Sequence, residues 1–185
     1  SAASDVYKRQ EEFPGMPVAV CANLPYNITT PAITALIESK CFENITVLVQ
    51  KEVAERLCAA PGTSAYGAFS VFMQYYTEPE YLFAVPRECF EPQPKVTSAV
   101  LRAVVRREPP VEGEDEKFFF RVVYAAFALR RKTLVNSLMT AFGSQLTKEQ
   151  VTQAVTSCGL EANIRGERLG LSEFAALSAE IAALL

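Results

Sequence analysis

The chain has 185 residues, half of them hydrophobic, a formal net charge of -3, five dispersed cysteines and no histidine. This length suffices for the core of one domain or one and a half. Without histidine or a Cys-x-x-Cys pair, a zinc site, a cysteine–histidine dyad and a serine–histidine triad are excluded, so we expect no metal. The sequence shows neither an apolar run long enough to span a membrane nor a signal peptide, which predicts a cytoplasmic protein with reduced cysteines.

The first half of the chain alternates between predicted strands and helices. Residues 1–15 form a polar leader without periodicity. A continuous apolar run at 18–22 and a β-branched run at 45–49 are typical of buried parallel strands. Each is followed by a predicted helix, one capped by Thr30 with Pro31 in its first turn and reaching about Lys40, and one over residues 51–60. This order predicts an α/β sheet with parallel strands.

The second half changes from mixed to helical. It begins with a predicted helix at 68–75, a strand at 81–85, a proline-rich loop and a strand at 98–105. An acidic linker follows, and residues 118–142 then show one long helical pattern or two. Thr147 with Gln150, and Ser172, are expected to cap the last two helices. We therefore predict a leader at 1–15, an α/β domain at 16–107 and a helical domain at 117–185.

The segment Asn23-Leu24-Pro25-Tyr26 follows the first predicted strand, at the edge where open α/β sheets bind ligands. The side-chain oxygen of Asn23 and the carbonyl of Leu24 can accept the two hydrogens of an exocyclic amine, and Pro25 adds no competing N–H. Tyr26 offers a flat face on which an extruded base can stack. We interpret these four residues as the catalytic site of a methyl transfer that needs no titrating base. The alternative is a turn after a strand.

A second aromatic residue, Phe90, lies on the proline-rich loop before the last predicted strand. From that loop its ring can close over the other face of the same base, so we add Phe90 to the catalytic residues. Its alternative role is that of a core side chain. Lys95, on the same loop, is a candidate for RNA contact.

Basic residues cluster in the helical half of an otherwise acidic protein. Residues 117–142 contain five basic side chains and no acid, including the consecutive Arg130, Arg131 and Lys132. On a helix these three cannot all be buried, and they favour contact with RNA phosphates over the alternative of a solvated face. Arg165 and Arg168 either extend this surface or pair with nearby glutamates, Glu161 and Glu167.

Together these residues resemble the KsgA/RsmA family of small-subunit ribosomal-RNA adenine dimethyltransferases. The match runs from about Val18 to the C-terminus, through Asn23-Leu24-Pro25-Tyr26-Asn27-Ile28-Thr29-Thr30-Pro31, Gln50-Lys51-Glu52-Val53-Ala54-Glu55-Arg56, Tyr66-Gly67, Phe90-Glu91-Pro92-Gln93-Pro94-Lys95-Val96, Arg130-Arg131-Lys132-Thr133-Leu134, Arg165-Gly166-Glu167-Arg168-Leu169 and Phe174-Ala175-Ala176-Leu177.

This resemblance implies the C-terminal part of a Rossmann-like class I methyltransferase sheet, followed by a small helical RNA-binding domain. It implies S-adenosylmethionine as cofactor and 16S rRNA in the immature small subunit as partner. The reaction is dimethylation of two adjacent adenines in the 3′-end hairpin, by an enzyme that is monomeric at full length. Asn23 would lie between cofactor and base, with Tyr26 and Phe90 on the two faces of the adenine.

The chain departs from this family upstream of Asn23. Members bind S-adenosylmethionine through a glycine-rich loop and an acidic residue that precede the Asn-Leu-Pro-Tyr segment, and the eight glycines here include no G-x-G. Only about twenty residues precede Asn23, too few for three strands with their helices. We therefore expect an inactive, truncated fragment whose foreign leader ends near Glu11, with an unpaired edge on the strand containing Val20.

Two other functions remain open at this point. One is a non-catalytic RNA-binding or ribosome-assembly module that keeps the basic residues. The other is a large-subunit rRNA adenine methylase of the macrolide-resistance type. The segment Arg165-Gly166-Glu167-Arg168 in the helical half favours the small-subunit enzymes.

Overall fold

A computed structural model describes residues 16–111 and 115–185. The elements in chain order are β1 (Ala19–Asn23), α1 (Thr29–Glu38), β2 (Asn44–Gln50), α2 (Lys51–Leu57), α3 (Ala68–Tyr76), β3 (Thr77–Val85), β4 (Ser98–Val105), α4 (Glu116–Phe127), α5 (Leu134–Phe142), α6 (Lys148–Ser157) and α7 (Leu171–Ala182). Short 3-10 turns occur at Tyr26–Ile28, Arg87–Cys89 and Gly166–Arg168. Of the helices in this part of the chain, none is long and apolar enough to cross a membrane.

The chain divides into two compact units, but not at the predicted boundary. Of the described residues, the sheet unit contains 16–58 together with Tyr76–Glu108, and the helical unit contains Ala59–Tyr75 together with 109–111 and 115–185. Residues 59–75 were predicted to belong to the α/β domain because they lie between predicted strands. They group instead with the helical unit, where the aromatic side chain of Tyr75 packs against Phe119 with ring centroids 5.0 Å apart.

The sheet has the order β1-β2-β4-β3. β1 and β2 run parallel, as predicted from the helix between them, with Asn23 opposite Leu48. β4 is antiparallel to both neighbours, and Ser98 lies opposite Gln50 on one side and Val85 on the other. β3 and β4 are joined by a loop without an α-helix, and strands connected without such a crossover run antiparallel.

The core of the sheet unit follows from the alternation of β2. Ile45, Val47 and Val49 are buried, and the residues between them are partly exposed. They lie opposite Ala103, Leu101 and Ala99 of β4, all fully buried. One face of the sheet is thus closely packed, and this rigid layer fixes the strand ends that carry the candidate site.

The helical unit is held together by a cluster of aromatic side chains. Phe119 and Phe120 of α4 contact Tyr75, and Phe119 also lies 6.5 Å from the ring of Phe174 in α7. The predicted cap of α6 is confirmed: Thr147 Oγ1 accepts from the N–H of Gln150, whose Oε1 accepts from the N–H of Thr147.

Two predicted helix caps were wrong. The first helix begins at Thr29 instead of after Thr30, and its N-cap position is Ile28, which makes no side-chain cap bond. The last helix is capped at Gly170, whose N–H donates to Glu173 Oε2, so Ser172 lies inside its first turn. The pattern at 118–142, predicted as one helix or two, forms two helices, α4 and α5, which are separated at 128–133.

Candidate active site and nucleic-acid interface

The Asn-Leu-Pro-Tyr segment continues directly from the last residue of β1. The N–H of Leu24 donates to the carbonyl of Leu48 at 3.1 Å, which extends the parallel pairing by one residue. Pro25 then ends the pairing because it has no N–H, and the 3-10 turn Tyr26–Ile28 follows. Asn23 and Pro25 are exposed, whereas Leu24 and Tyr26 are half-buried. The side-chain amide of Asn23 is therefore accessible at the carboxyl edge of the parallel strands.

A hydrogen bond between side chains fixes the position of Tyr26. Its hydroxyl lies 2.6 Å from Ser98 Oγ, and Ser98 is fully buried at the start of β4. Because Ser98 pairs with the last residues of β2 and β3, Tyr26 is attached where three strand ends meet. The sequence analysis assigned no role to Ser98. The available signal was a serine that opens an otherwise apolar strand, two residues after the quoted loop motif.

The Phe90 loop begins and ends at the same edge of the sheet. It leaves β3 after Val85 and returns at Ser98, and these two residues are paired. The 3-10 turn Arg87–Cys89 is followed by Phe90 in an extended conformation, with its N–H donating to the carbonyl of Arg87. Phe90 is half-buried and Lys95 is exposed. The loop therefore ends at Ser98, the residue whose hydroxyl is hydrogen-bonded to Tyr26.

The arrangement provides hydrogen-bond acceptors and aromatic surface at one edge of the sheet. Asn23 and Leu24 supply an amide oxygen and a backbone carbonyl, which can accept from an amine without becoming charged. Among residues 16–111 and 115–185, no three or more Cys, Asp or Glu side chains are grouped so as to hold a metal ion. The chemistry that these residues can perform is positioning of a neutral nucleophile.

The three consecutive basic residues are not on a helix, contrary to the prediction. Arg130, Arg131 and Lys132 lie in the turn between α4 and α5, and all three are exposed. The helix ends before them because Thr133 Oγ1 caps the new helix by accepting from the N–H of Asn136. Arg130 Nη2 donates to the carbonyl of Ser64 at 2.6 Å.

Arg165 directly precedes a second turn of the helical unit, Gly166–Arg168, and Arg168 is the last residue of that turn; both arginines are exposed. The ion pairs of the described residues include neither of these two arginines, so pairing with Glu161 or Glu167 is absent there. The turn is packed closely on α4, because a Cβ at Gly166 would lie 2.7 Å from the carbonyl oxygen of Ala126.

The sheet order, the acceptor segment at its carboxyl edge and the separate helical unit define a Rossmann-like α/β fold with a helical unit. The fold matches a dimethyladenosine transferase from Plasmodium falciparum with a TM-score of 0.74 and 21% identity, over 98% of this chain and 78% of that one. It also matches the 23S rRNA methyltransferase ErmE with a TM-score of 0.66 and 22% identity, over the same shares. The predicted fold class is confirmed.

The chain belongs to the ribosomal RNA adenine dimethylase family, whose model matches residues 3–181. It is 49% identical over 179 residues to the ribosomal RNA small subunit methyltransferase A of Streptococcus thermophilus, covering 95% of this chain and 62% of the relative. The protein of that name from a Geobacillus species is 49% identical over 91% of this chain and 59% of its own length. The chain thus spans about three fifths of these relatives. The family match begins at residue 3, whereas the sequence predicted a foreign leader that ends near Glu11.

Proposed function

We propose that this chain carries the target-adenine site of an enzyme that dimethylates two adjacent adenines in the 3′-end hairpin of 16S rRNA, within the immature small subunit in the cytoplasm. The observation that supports this most directly is the position of Asn23, Leu24 and Tyr26 at the carboxyl edge of the sheet. Family membership and the small-subunit names of the relatives support the choice of RNA. The full-length enzyme acts as a monomer.

The role of the acceptor segment follows from the chemistry of adenine. The lone pair of its exocyclic amine is delocalised into the ring, so the nitrogen needs help to act as a nucleophile. Asn23 Oδ1 and the carbonyl of Leu24 accept the two amine hydrogens, which leaves the lone pair of the nitrogen free to face the methyl donor. Pro25 keeps the turn free of a competing donor.

S-adenosylmethionine, when bound, supplies the methyl group of this reaction. The residue of this chain that fits contact with it is Asn23, because its exposed amide has a donor and an acceptor at the sheet edge. No G-x-G loop occurs among the eight glycines. The 185-residue chain is therefore expected to be inactive alone and to bind this cofactor weakly or not at all. Calorimetry tests this, and a micromolar dissociation constant would contradict it.

Tyr26 and Phe90 hold the extruded adenine between their rings. Each aromatic face adds about 1–3 kcal/mol of stacking to a flipped base. The hydroxyl bond to Ser98 keeps the Tyr26 ring in place before the base arrives, so less ordering is needed on binding.

Base extrusion can be measured without cofactor, with 2-aminopurine replacing one target adenine of the hairpin. Binding of the chain should change the fluorescence of this base, because unstacking and restacking on aromatic rings alter it. Tyr26→Ala and Phe90→Ala should each lower the change by more than half, while RNA affinity falls less than tenfold. The matched control is Phe83→Ala, which removes an aromatic side chain 55% exposed in the same unit.

The same experiment separates the proposal from a non-catalytic RNA-binding module. Such a module predicts tight binding of the hairpin with unchanged 2-aminopurine fluorescence in every variant. That result would remove the target-base assignment and leave the RNA-binding role.

Binding of the RNA itself is assigned to Lys95, Arg130, Arg131, Lys132, Arg165 and Arg168, all exposed. Replacing Arg130, Arg131 and Lys132 by glutamine should flatten the dependence of affinity on salt by about 0.7–0.9 per lost phosphate contact. The control replaces three arginines of the sheet unit that form surface ion pairs, Arg56, Arg102 and Arg107. It removes the same charge. Equal salt slopes in the two triple variants would show that net charge alone determines how RNA affinity depends on salt.

A further inference from the structure

The loop at residues 60–65 joins α2 to α3 and has no role in the site described above. All six of its residues are exposed. None carries a charge, so the loop offers backbone groups and two hydroxyl side chains, Thr63 and Ser64. An exposed polar loop of this kind is an ordinary connection unless something holds it in a defined place.

One hydrogen bond joins the 60–65 loop to the turn Gly166–Arg168, and a second joins the residues that follow each of them. The N–H of Gly62 donates to the carbonyl of Glu167 at 2.7 Å. The hydroxyl of Tyr66, a buried residue, donates to the carbonyl of Leu169 at 2.9 Å. Gly62 has φ +85°, a left-handed conformation that glycine adopts without strain. The loop is thus fixed to a turn that contains Arg168 and directly follows Arg165.

Arginines from two different elements meet this loop. Arg130 Nη2 donates to the carbonyl of Ser64 at 2.6 Å. Arg168 Nη1 lies 3.1 Å from the point that a Cβ on Gly62 would occupy. Gly62 and Ser64 are two residues apart, a separation of at most about 7 Å even when fully extended. The two guanidinium groups, 38 positions apart in the sequence, are therefore held at one short segment.

We propose that the 60–65 loop is a third segment of the RNA-binding surface, at which Arg130, bound to the loop backbone, and Arg168, lying against Gly62, form one phosphate-binding cluster. Arg130 uses one of its five N–H donors on the loop, which leaves the others for phosphate oxygens. The loop itself contains no carboxylate to compete with a phosphate. The identity of the RNA rests on the proposed function, whereas the phosphate-binding cluster does not.

A carboxylate placed on the loop tests this directly. Ser64→Glu adds a negative charge beside Arg130 and should remove about one phosphate contact, lowering the salt slope by about 0.7–0.9 and the affinity about sixfold at 0.1 M salt. Ser64→Gln is the neutral variant of equal size and should bind as the wild type. Ser144→Glu makes the same charge change at the other end of α5, about 13 Å away along the helix and beyond the screening length of about 10 Å.

Two RNA probes separate this inference from the proposed function: the 16S 3′-end hairpin and an unrelated hairpin of equal length. The cluster is supported if Ser64→Glu, and neither of the other two variants, has a reduced salt slope for both RNAs. This holds even if the wild type does not prefer the 16S hairpin, a result that would contradict the proposed target. If Ser64→Glu and Ser144→Glu have equal salt slopes, the proposed cluster is wrong. A preference of the wild type for the 16S hairpin would still support the proposed function. A wild-type chain that binds neither RNA overturns the cluster as well. Far-ultraviolet circular dichroism of each variant checks that it is folded.

Discussion

The hydrogen bond between Tyr26 and Ser98 makes a quantitative prediction for stability. Tyr26→Phe keeps the ring but leaves the fully buried Ser98 hydroxyl without its partner. An unpaired buried hydroxyl costs about 1–3 kcal/mol, so we expect the free energy of unfolding to fall by about 2 kcal/mol. Ser98→Ala should cost less, about 1 kcal/mol, because the half-buried Tyr26 hydroxyl can turn to water.

The double variant Tyr26→Phe/Ser98→Ala distinguishes this bond from simple packing. With both hydroxyls removed, no buried group is unpaired, and the total loss should be about 1–2 kcal/mol smaller than the sum of the single losses. Urea unfolding followed by circular dichroism measures all three, since the chain has no tryptophan. Tyr124→Phe, at a side chain 55% exposed, is the control. Losses that add within about 0.5 kcal/mol would refute the reasoning.

Three further predictions concern other parts of the chain. Burial raises the pKa of Tyr66 from 10.0 to about 12, so the unfolded state loses this proton first. The wild type should therefore lose stability relative to Tyr66→Phe as the pH rises from 10 to 12 in urea titrations. Burial also raises the pKa of Cys58 to about 11, so iodoacetamide at pH 8 should modify it far more slowly than the exposed Cys21, as peptide mass spectrometry can show. Thr147→Ala should cost about 1 kcal/mol in thermal unfolding through loss of the α6 cap, whereas Thr156→Ala, late in the same helix, should cost less than about 0.5 kcal/mol.

Local patterns in the sequence were sufficient for most elements of the fold. The apolar run at 45–49 and the pair Thr147 and Gln150 act over a few residues, and both predictions are confirmed. The parallel pairing of β1 and β2 also follows locally, from the helix that connects them. The helix starts were less predictable: the first helix begins without a side-chain cap, and Glu173 caps the last helix at Gly170 in place of the expected Ser172.

Features that depend on distant residues were not predictable from one sequence. The partner of Tyr26 is Ser98, 72 positions away, and no local pattern relates them. Arg130 was expected on a helix, since the apolar pattern continues on both sides of it, but the cap at Thr133 ends that continuity. The catalytic roles of Asn23, Leu24, Pro25, Tyr26 and Phe90, and the RNA contact of the basic residues, stay predictions until the experiments above are made.

The membership of Ala59–Tyr75 in the helical unit has a consequence for how this chain can be divided. A cut at the acidic linker leaves this segment attached to the sheet unit while removing Leu169, which accepts from Tyr66, and Phe119, which packs on Tyr75. The N-terminal fragment would then expose the aromatic rings of residues 59–75 to solvent and would tend to self-associate. Gene fusions or exchanges that replace the C-terminal half should therefore yield soluble products only when residues 59–75 are exchanged with it.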